Sequence, residues 1–237
     1  MISRTLTFEL VDLISLVPVE LRCRSGAVFY SGKASFSRPS PVYLLGLNPG
    51  GLPGLQATET IGVDLEEWPR KPELWSAYCN ASWNGRPPGQ YGIQPRILHL
   101  MHKVSLDPRL VPSSNVVFVR SAGEADIALE LPSLLAACWP FHAAVIERLS
   151  IGVIICLGGT AGAWVRRHLG ADQWVESFTE DNKREWVSST YRDGGGRQVV
   201  TLSHPGRVNW CNPKADPSSL VAQALDRASL RVCRDAG

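Results

Sequence analysis

No two cysteines form a C-x-x-C pair, no apolar run approaches the ~18 residues of a membrane span, and the chain holds no internal repeat or low-complexity tract. The six cysteines, Cys23, Cys79, Cys138, Cys156, Cys211 and Cys233, are scattered instead. That scatter argues against a zinc ribbon and against an iron–sulfur cluster, so no metal and no other cofactor is expected. Cys156 lies inside the apolar run Val153-Ile154-Ile155-Cys156-Leu157, where a buried free thiol is the expectation. The N-terminal stretch lacks a long apolar h-region, so the expected setting is a reducing cytoplasm without membrane contact. Charge of one sign is also scarce. A formal net charge of +2 neither requires nor excludes a DNA partner, because a local basic cleft is enough to hold phosphates. With 44% hydrophobic and 19% charged residues, the chain has the composition of a folded protein. Its 237 residues suit one domain, 1–237.

Four short apolar runs read as buried strands: Val42-Tyr43-Leu44-Leu45, Val116-Val117-Phe118-Val119, Val153 to Leu157, and Gln198 to Leu202. Helical stripes separate them. Ile93, Ile97, Leu98, Met101 and Val104 share one face, with Pro95 near the start. Leu131 to Leu149 forms another stripe, with Pro140 a kink or restart. Asp216 can cap a last helix, with Pro217 in its first turn and Leu220, Val221, Ala224, Leu225 and Ala228 inward. The predicted fold is α/β: a central four-stranded, mostly parallel sheet with helices on both faces. Residues 1–40 read as a helical and loop extension, with weak helical periodicity from Leu6 to Leu21. Residues 62–92, with three tryptophans and four prolines, read as an insertion of little regular structure beside the substrate.

Ligands in such sheets bind at the carboxyl ends of the strands. Two of the four strands end in conspicuous loops. Gly46-Leu47-Asn48-Pro49-Gly50-Gly51 follows the first, and Ser203-His204-Pro205-Gly206-Arg207 follows the last. Glycines let backbone N–H groups approach a phosphate or a base, and Asn48 offers a donor and an acceptor that can orient water. His204 can stabilise an anionic leaving group. Each loop alone is also readable as an ordinary turn and a structural histidine. The two together point to an active site.

Gly46-Leu47-Asn48-Pro49-Gly50 resembles the water-activating motif of the uracil-DNA glycosylase superfamily, in the asparagine form of its mismatch-specific and single-strand-selective branches. Ser203-His204-Pro205-Gly206-Arg207-Val208-Asn209 resembles the second motif, and Cys138-Trp139-Pro140 through Gly158 resembles the helix and strand between them. The resemblance spans about residues 42–225. It implies a monofunctional DNA glycosylase that flips a base out of DNA and hydrolyses its N-glycosidic bond. Asn48 would position the water and His204 would hydrogen-bond the departing base. Gly46, Leu47, Pro49, Gly50 and Gly51 would border the base. Ser203, Pro205, Gly206, Arg207 and Asn209 would hold DNA, with Arg207 in the wedging segment.

Two departures bear on the substrate. Ser121, at the end of Phe118-Val119-Arg120-Ser121, stands where the resemblance implies a base-reading asparagine. Ile61-Gly62 stands where it implies a stacking aromatic. Both leave room, and Arg120 adds a donor, so a modified pyrimidine is expected, such as a hypermodified cytosine of viral DNA in a defence role. Ordinary uracil repair is the alternative. A catalytically inactive DNA-binding module and a nucleoside hydrolase are the rivals, disfavoured by Asn48 with His204 and by Arg207 respectively. DNA is the expected partner, and a monomer the expected state.

Overall fold

A computed structural model describes residues 12–235 of the chain. Strands β1 (Val42–Gly46), β2 (Ser113–Asn115), β3 (Val153–Leu157), β4 (Gln173–Thr179), β5 (Val187–Arg192) and β6 (Gln198–Leu202) form one sheet in the order β2-β1-β3-β6-β5-β4. The first four in that order run parallel, and β5 and β4 continue the sheet antiparallel. The sheet therefore has six strands where the sequence predicted four.

Alternation along each central strand feeds two cores. Tyr43, Leu45, Ile154, Cys156 and Val199 face one; Val42, Leu44, Val153, Ile155, Leu157, Val200 and Leu202 face the other. Helix α1 (Ile61–Glu67) belongs to the first core through Ile61 and Leu65, while α2 (Gln94–Lys103) packs Ile97, Leu100 and Met101 into the second. Helices α3 (Leu131–Arg148) and α4 (Gly159–Leu169) complete the first layer, and α5 (Ser218–Asp235) completes the second. Helices thus cover both faces. Pro140 lies inside α3 without ending it. Asp216 accepts from Ser218 N–H at 3.0 Å ahead of α5, and its other oxygen meets His99 Nε2 of α2 at 2.8 Å. Among the described residues, no helix is long and apolar enough to cross a membrane.

The predicted second strand is displaced. The regular ladder with β1 takes Ser113, Ser114 and Asn115, not the apolar Val116–Val119. These polar residues are buried because the chain around residues 28–31 covers them: Tyr30 N–H donates to Ser113 O, Ser31 Oγ accepts from Ser113 N–H, and Ser114 Oγ donates to Val28 O. Val116 to Val119 pack into the first core, and the chain from 116 to 121 follows the outgoing β1 loop through single bonds such as Val117 N–H to Leu47 O.

Two further expectations change. Leu13, Val17, Leu21, Val28, Phe29 and Phe36 belong to the first core, so the described part of 1–40 packs into the body; residues 6–11 of the predicted periodic patch lie outside the described residues. In 62–92, Leu65 and Trp68 are core residues too. Trp68 stacks on Phe29 with centroids 3.8 Å apart and donates from Nε1 to Ser31 O. The five described cysteines are free thiols; Cys156 is fully buried, and burial pushes its thiol far above the ordinary range.

His142, in the core on α3, is held by burial at a pKa of about 3. Its Nε2–H donates to Val116 O at 3.2 Å, and Nδ1 accepts from the Tyr43 hydroxyl at 2.8 Å. The unfolded ring titrates near ~6.5, so the unfolded state binds the extra proton between these two values. The stabilisation is present above the unfolded pKa and is lost as pH falls below it. Between pH 7 and 5 the wild-type protein should lose about 2 kcal/mol more unfolding free energy than His142→Gln, an amide that can replace both bonds. Urea unfolding at the two pH values measures it, and equal losses in both proteins would remove His142 as the source.

Candidate active site

Leu45, Cys156 and Thr201 form one row across β1, β3 and β6. The three strands therefore end level, and Asn48 and His204 each lie two residues beyond their ends, Gly46 and Leu202. Their strand axes stand two spacings apart, about 10 Å. Gly158 follows the strand between them. It adopts φ +112°, a conformation that favours glycine, and a Cβ there would be in ordinary van der Waals contact with the His204 ring, 3.5 Å away. Gly162 sits where a Cβ would reach within 2.1 Å of Thr201 Oγ1, so α4 packs closely over β6. The first turn of α4 is engaged by a carboxylate, since Thr160 Oγ1 donates to Glu124 at 2.8 Å.

The Asn48 amide has one possible orientation. Its Nδ2 donates to Ser121 Oγ at 2.8 Å, Pro49 O at 3.0 Å and Val119 O at 3.3 Å. Carbonyls can only accept, and Ser121 spends its proton on Gly123 O at 2.8 Å, so the amide nitrogen must face this group. The remaining end is Oδ1, an acceptor with no partner among the described residues. His204 is fixed in the complementary sense. Its Nδ1 accepts from Gly206 N–H at 3.0 Å, which leaves Nε2–H as the donor of the neutral ring. Partial burial, with the Arg207 guanidinium nearby, holds the ring below the ordinary histidine value. Gly206 permits this closeness, because a Cβ there would stand 2.9 Å from Nδ1.

The other predicted site residues divide. Leu47 packs partly against the core, Pro49 is buried, and Gly50 is exposed. Gly51 takes φ +121° and would clash with Gln56 if substituted. Gly46 lies against Asn115, whose Oδ1 is 2.1 Å from where a Cβ would be. Ser203, Pro205, Gly206, Arg207 and Asn209 make one connected loop; Ser203 O accepts from Trp210 Nε1, and Asn209 Oδ1 accepts from Cys211 N–H.

Five assignments need correction. Phe118 and Ile61 are completely buried, Phe118 packing edge-on against Phe141, so neither borders the cleft. Gly62 follows Ile61 away from it, donating to Arg22 O. Ser121 is 3% exposed and turned to Asn48, so it orients the amide and has no free edge for a base. Arg120 spends its guanidinium on Ser25 Oγ at 3.1 Å, Gly50 O at 2.7 Å and Glu59 at 2.9 Å. It clamps the Asn48 loop, each of its three nitrogens already holding a partner within the protein.

The amide at the tip of the second strand is Asn115, six residues before the place chosen from sequence. Burial pushes the nearby Tyr30 hydroxyl up to about 12, with the Arg120 charge and Asn115 opposing part of that rise. The Tyr30 ring stands 6.1 Å from that of Tyr78, which meets Trp83 at 6.0 Å. Tyr78 is a core residue, 3% exposed, and Tyr30 and Trp83 pack partly buried against it. The sequence signal for Asn115 was the polar Ser113-Ser114-Asn115, which apolar periodicity passes over. Compared with known proteins, the chain matches no family model and no curated sequence.

Proposed function

We propose that the protein is a monofunctional DNA glycosylase, hydrolysing the N-glycosidic bond of a base turned out of the strand to leave an abasic site. The observation that carries this reading is the complementary pair: Asn48 with only its acceptor Oδ1 available, His204 with only its donor Nε2–H available, on the loops that follow the carboxyl ends of β1 and β6, with β3 between them. Loss of a base passes through an oxocarbenium-like sugar and a departing anion. It needs a held water and a donor at the leaving group more than a strong base. An amide oxygen is a weak base but a good water acceptor, and a neutral imidazole N–H stabilises the anion without first losing a proton. Neither motif loop contains a lysine, so neither loop itself supplies an amine nucleophile.

DNA as substrate is supported by the cations at the mouth: exposed Arg207 and Arg184 and half-buried Arg96 all touch the His204 loop or belong to it. For the base itself, the enlarged-pocket argument from Ser121 and Ile61 no longer applies, since neither borders the cleft. Asn115, the amide at the end of β2 in register with Gly46 of β1, takes the place of the base-reading residue in this reading. The test is a panel of single- and double-stranded oligonucleotides carrying uracil, mispaired thymine or 5-substituted cytosines, with abasic sites revealed by alkaline cleavage. Release from at least one, lost in the Asn48→Ala/His204→Ala double variant, is the expected result. DNA binding without release from any would favour a binding module, and release only from free nucleosides would favour a nucleoside hydrolase.

A further inference from the structure

The β4–β5 hairpin takes no part in this chemistry, yet its turn reaches the His204 loop. Arg184 Nη1 donates to Arg207 O at 3.0 Å, and Nη2 pairs with Glu180 Oε2 at 3.1 Å. Glu180 is 3% exposed, so it is no ordinary surface partner; the same Oε2 also accepts from Asn182 Nδ2 at 2.7 Å. A buried carboxylate requires such donors, which fixes where the guanidinium stands. Arg184 further lies over the Trp186 ring at 5.0 Å. A second guanidinium meets the loop from α2: Arg96 Nη1 donates to Pro205 O at 2.8 Å and to Gly92 O at 3.2 Å. Two arginines from separate elements thus bind carbonyls 205 and 207. Between them stands Gly206, the residue whose N–H holds His204 Nδ1.

We propose that Arg96 and Arg184 are positioning residues for His204. Together they fix the 205–207 turn so that Gly206 N–H stays on Nδ1 and the ring proton stays on Nε2. Isolated surface ion pairs do little, but here the geometry being held is that of one hydrogen bond, and the tautomer follows from it. Both arginines also carry positive charge to the loop without contacting the ring. The catalytic half of the proposal rests on His204 being the leaving-group donor; the tautomer half does not.

The experiment separates the halves. Imidazole nitrogen resonances of His204 are recorded on the full-length protein at pH 8, where the ring is neutral, for wild type, Arg96→Met, Arg184→Met and the double variant. Wild type should show the Nε2–H tautomer, and the double variant a mixture of both tautomers. Single-turnover release at saturating protein, from whichever panel oligonucleotide the wild type cuts, should fall about 10- to 100-fold, and affinity for an abasic-analogue oligonucleotide should fall as well because two cations at the mouth are lost, so the tautomer is the readout that tells positioning from charge. Arg184→Lys, which keeps a donor and the charge, should recover part of the rate. An unchanged tautomer in the folded double variant, or in Arg96→Ala/Arg184→Ala should the methionine variants not fold, overturns the clamp. A mixed tautomer with an undiminished rate leaves the clamp standing and removes His204 as donor. If no oligonucleotide is cut, the glycosylase reading fails and the tautomer alone decides the clamp.

Discussion

Asn48→Ala is expected to slow base release by about two to four orders of magnitude while leaving affinity for DNA nearly unchanged. Its Oδ1 is the end of the amide left over after Nδ2 has been committed to Ser121, Pro49 and Val119. Alanine removes the acceptor that would hold the water. It does not touch Arg120, which ties the rest of the loop through Gly50 O, so the loop should keep its course. Ser121→Ala is a milder test of the same point. It deletes one Nδ2 acceptor and leaves two carbonyls, so the amide keeps its sense with more freedom, and a fall of about tenfold is expected. Single-turnover release and fluorescence anisotropy on an abasic-analogue oligonucleotide measure the two quantities. A near-normal rate for Asn48→Ala would end its assignment as the water-holding residue. A weakened affinity matching the lost rate would instead make it a binding residue.

How much of this could be read from the sequence depended on which physical signal each element leaves. Strands β1, β3 and β6 are buried on both faces, so they appear as uninterrupted apolar runs, and the loops at their ends were located correctly. The β4–β5 hairpin has partly exposed, polar-rich strands; Trp174, Ser177 and Thr190 do not form such a run, and it was missed. β2 failed for the opposite reason. Its three residues are polar but buried, satisfied by Ser31 and Val28, which lie about 80 residues away in the chain. Apolar Val116–Val119 then took its place in the reading. That displacement carried the site error with it, because counting to the strand's end selected Ser121 and overlooked Asn115. Ile61 follows from an offset counted from a motif, and Phe118 from the end of the predicted second strand. Whether an offset points into a cleft or into a core depends on packing that a single sequence does not encode locally. Arg96, Arg184 and Glu180 leave no motif at all, since each acts on the backbone of a loop distant in sequence.

His204→Ala should lower the rate of base release by about 10²- to 10³-fold, the usual cost of losing one preorganised donor to a developing anion. The pH dependence tells this role from a structural one. The folded ring titrates below the ordinary value of ~6.5, through partial burial and the Arg207 charge, so it is neutral at pH 7. In the neutral ring Nδ1 accepts from Gly206 N–H; protonating Nδ1 would set two donors against each other and break that bond. The competent form is therefore present above the folded pKa and is lost as pH falls through it. Wild type should show a flat rate at and above neutrality and a decline on the acid side, and His204→Ala should lack that decline. His204→Gln gives a third readout. Its amide oxygen can accept from Gly206 while its nitrogen donates toward the leaving group, so it should recover part of what alanine loses. His204→Ala within about threefold of wild type, with the acid decline intact, would mean that another group carries the leaving-group charge.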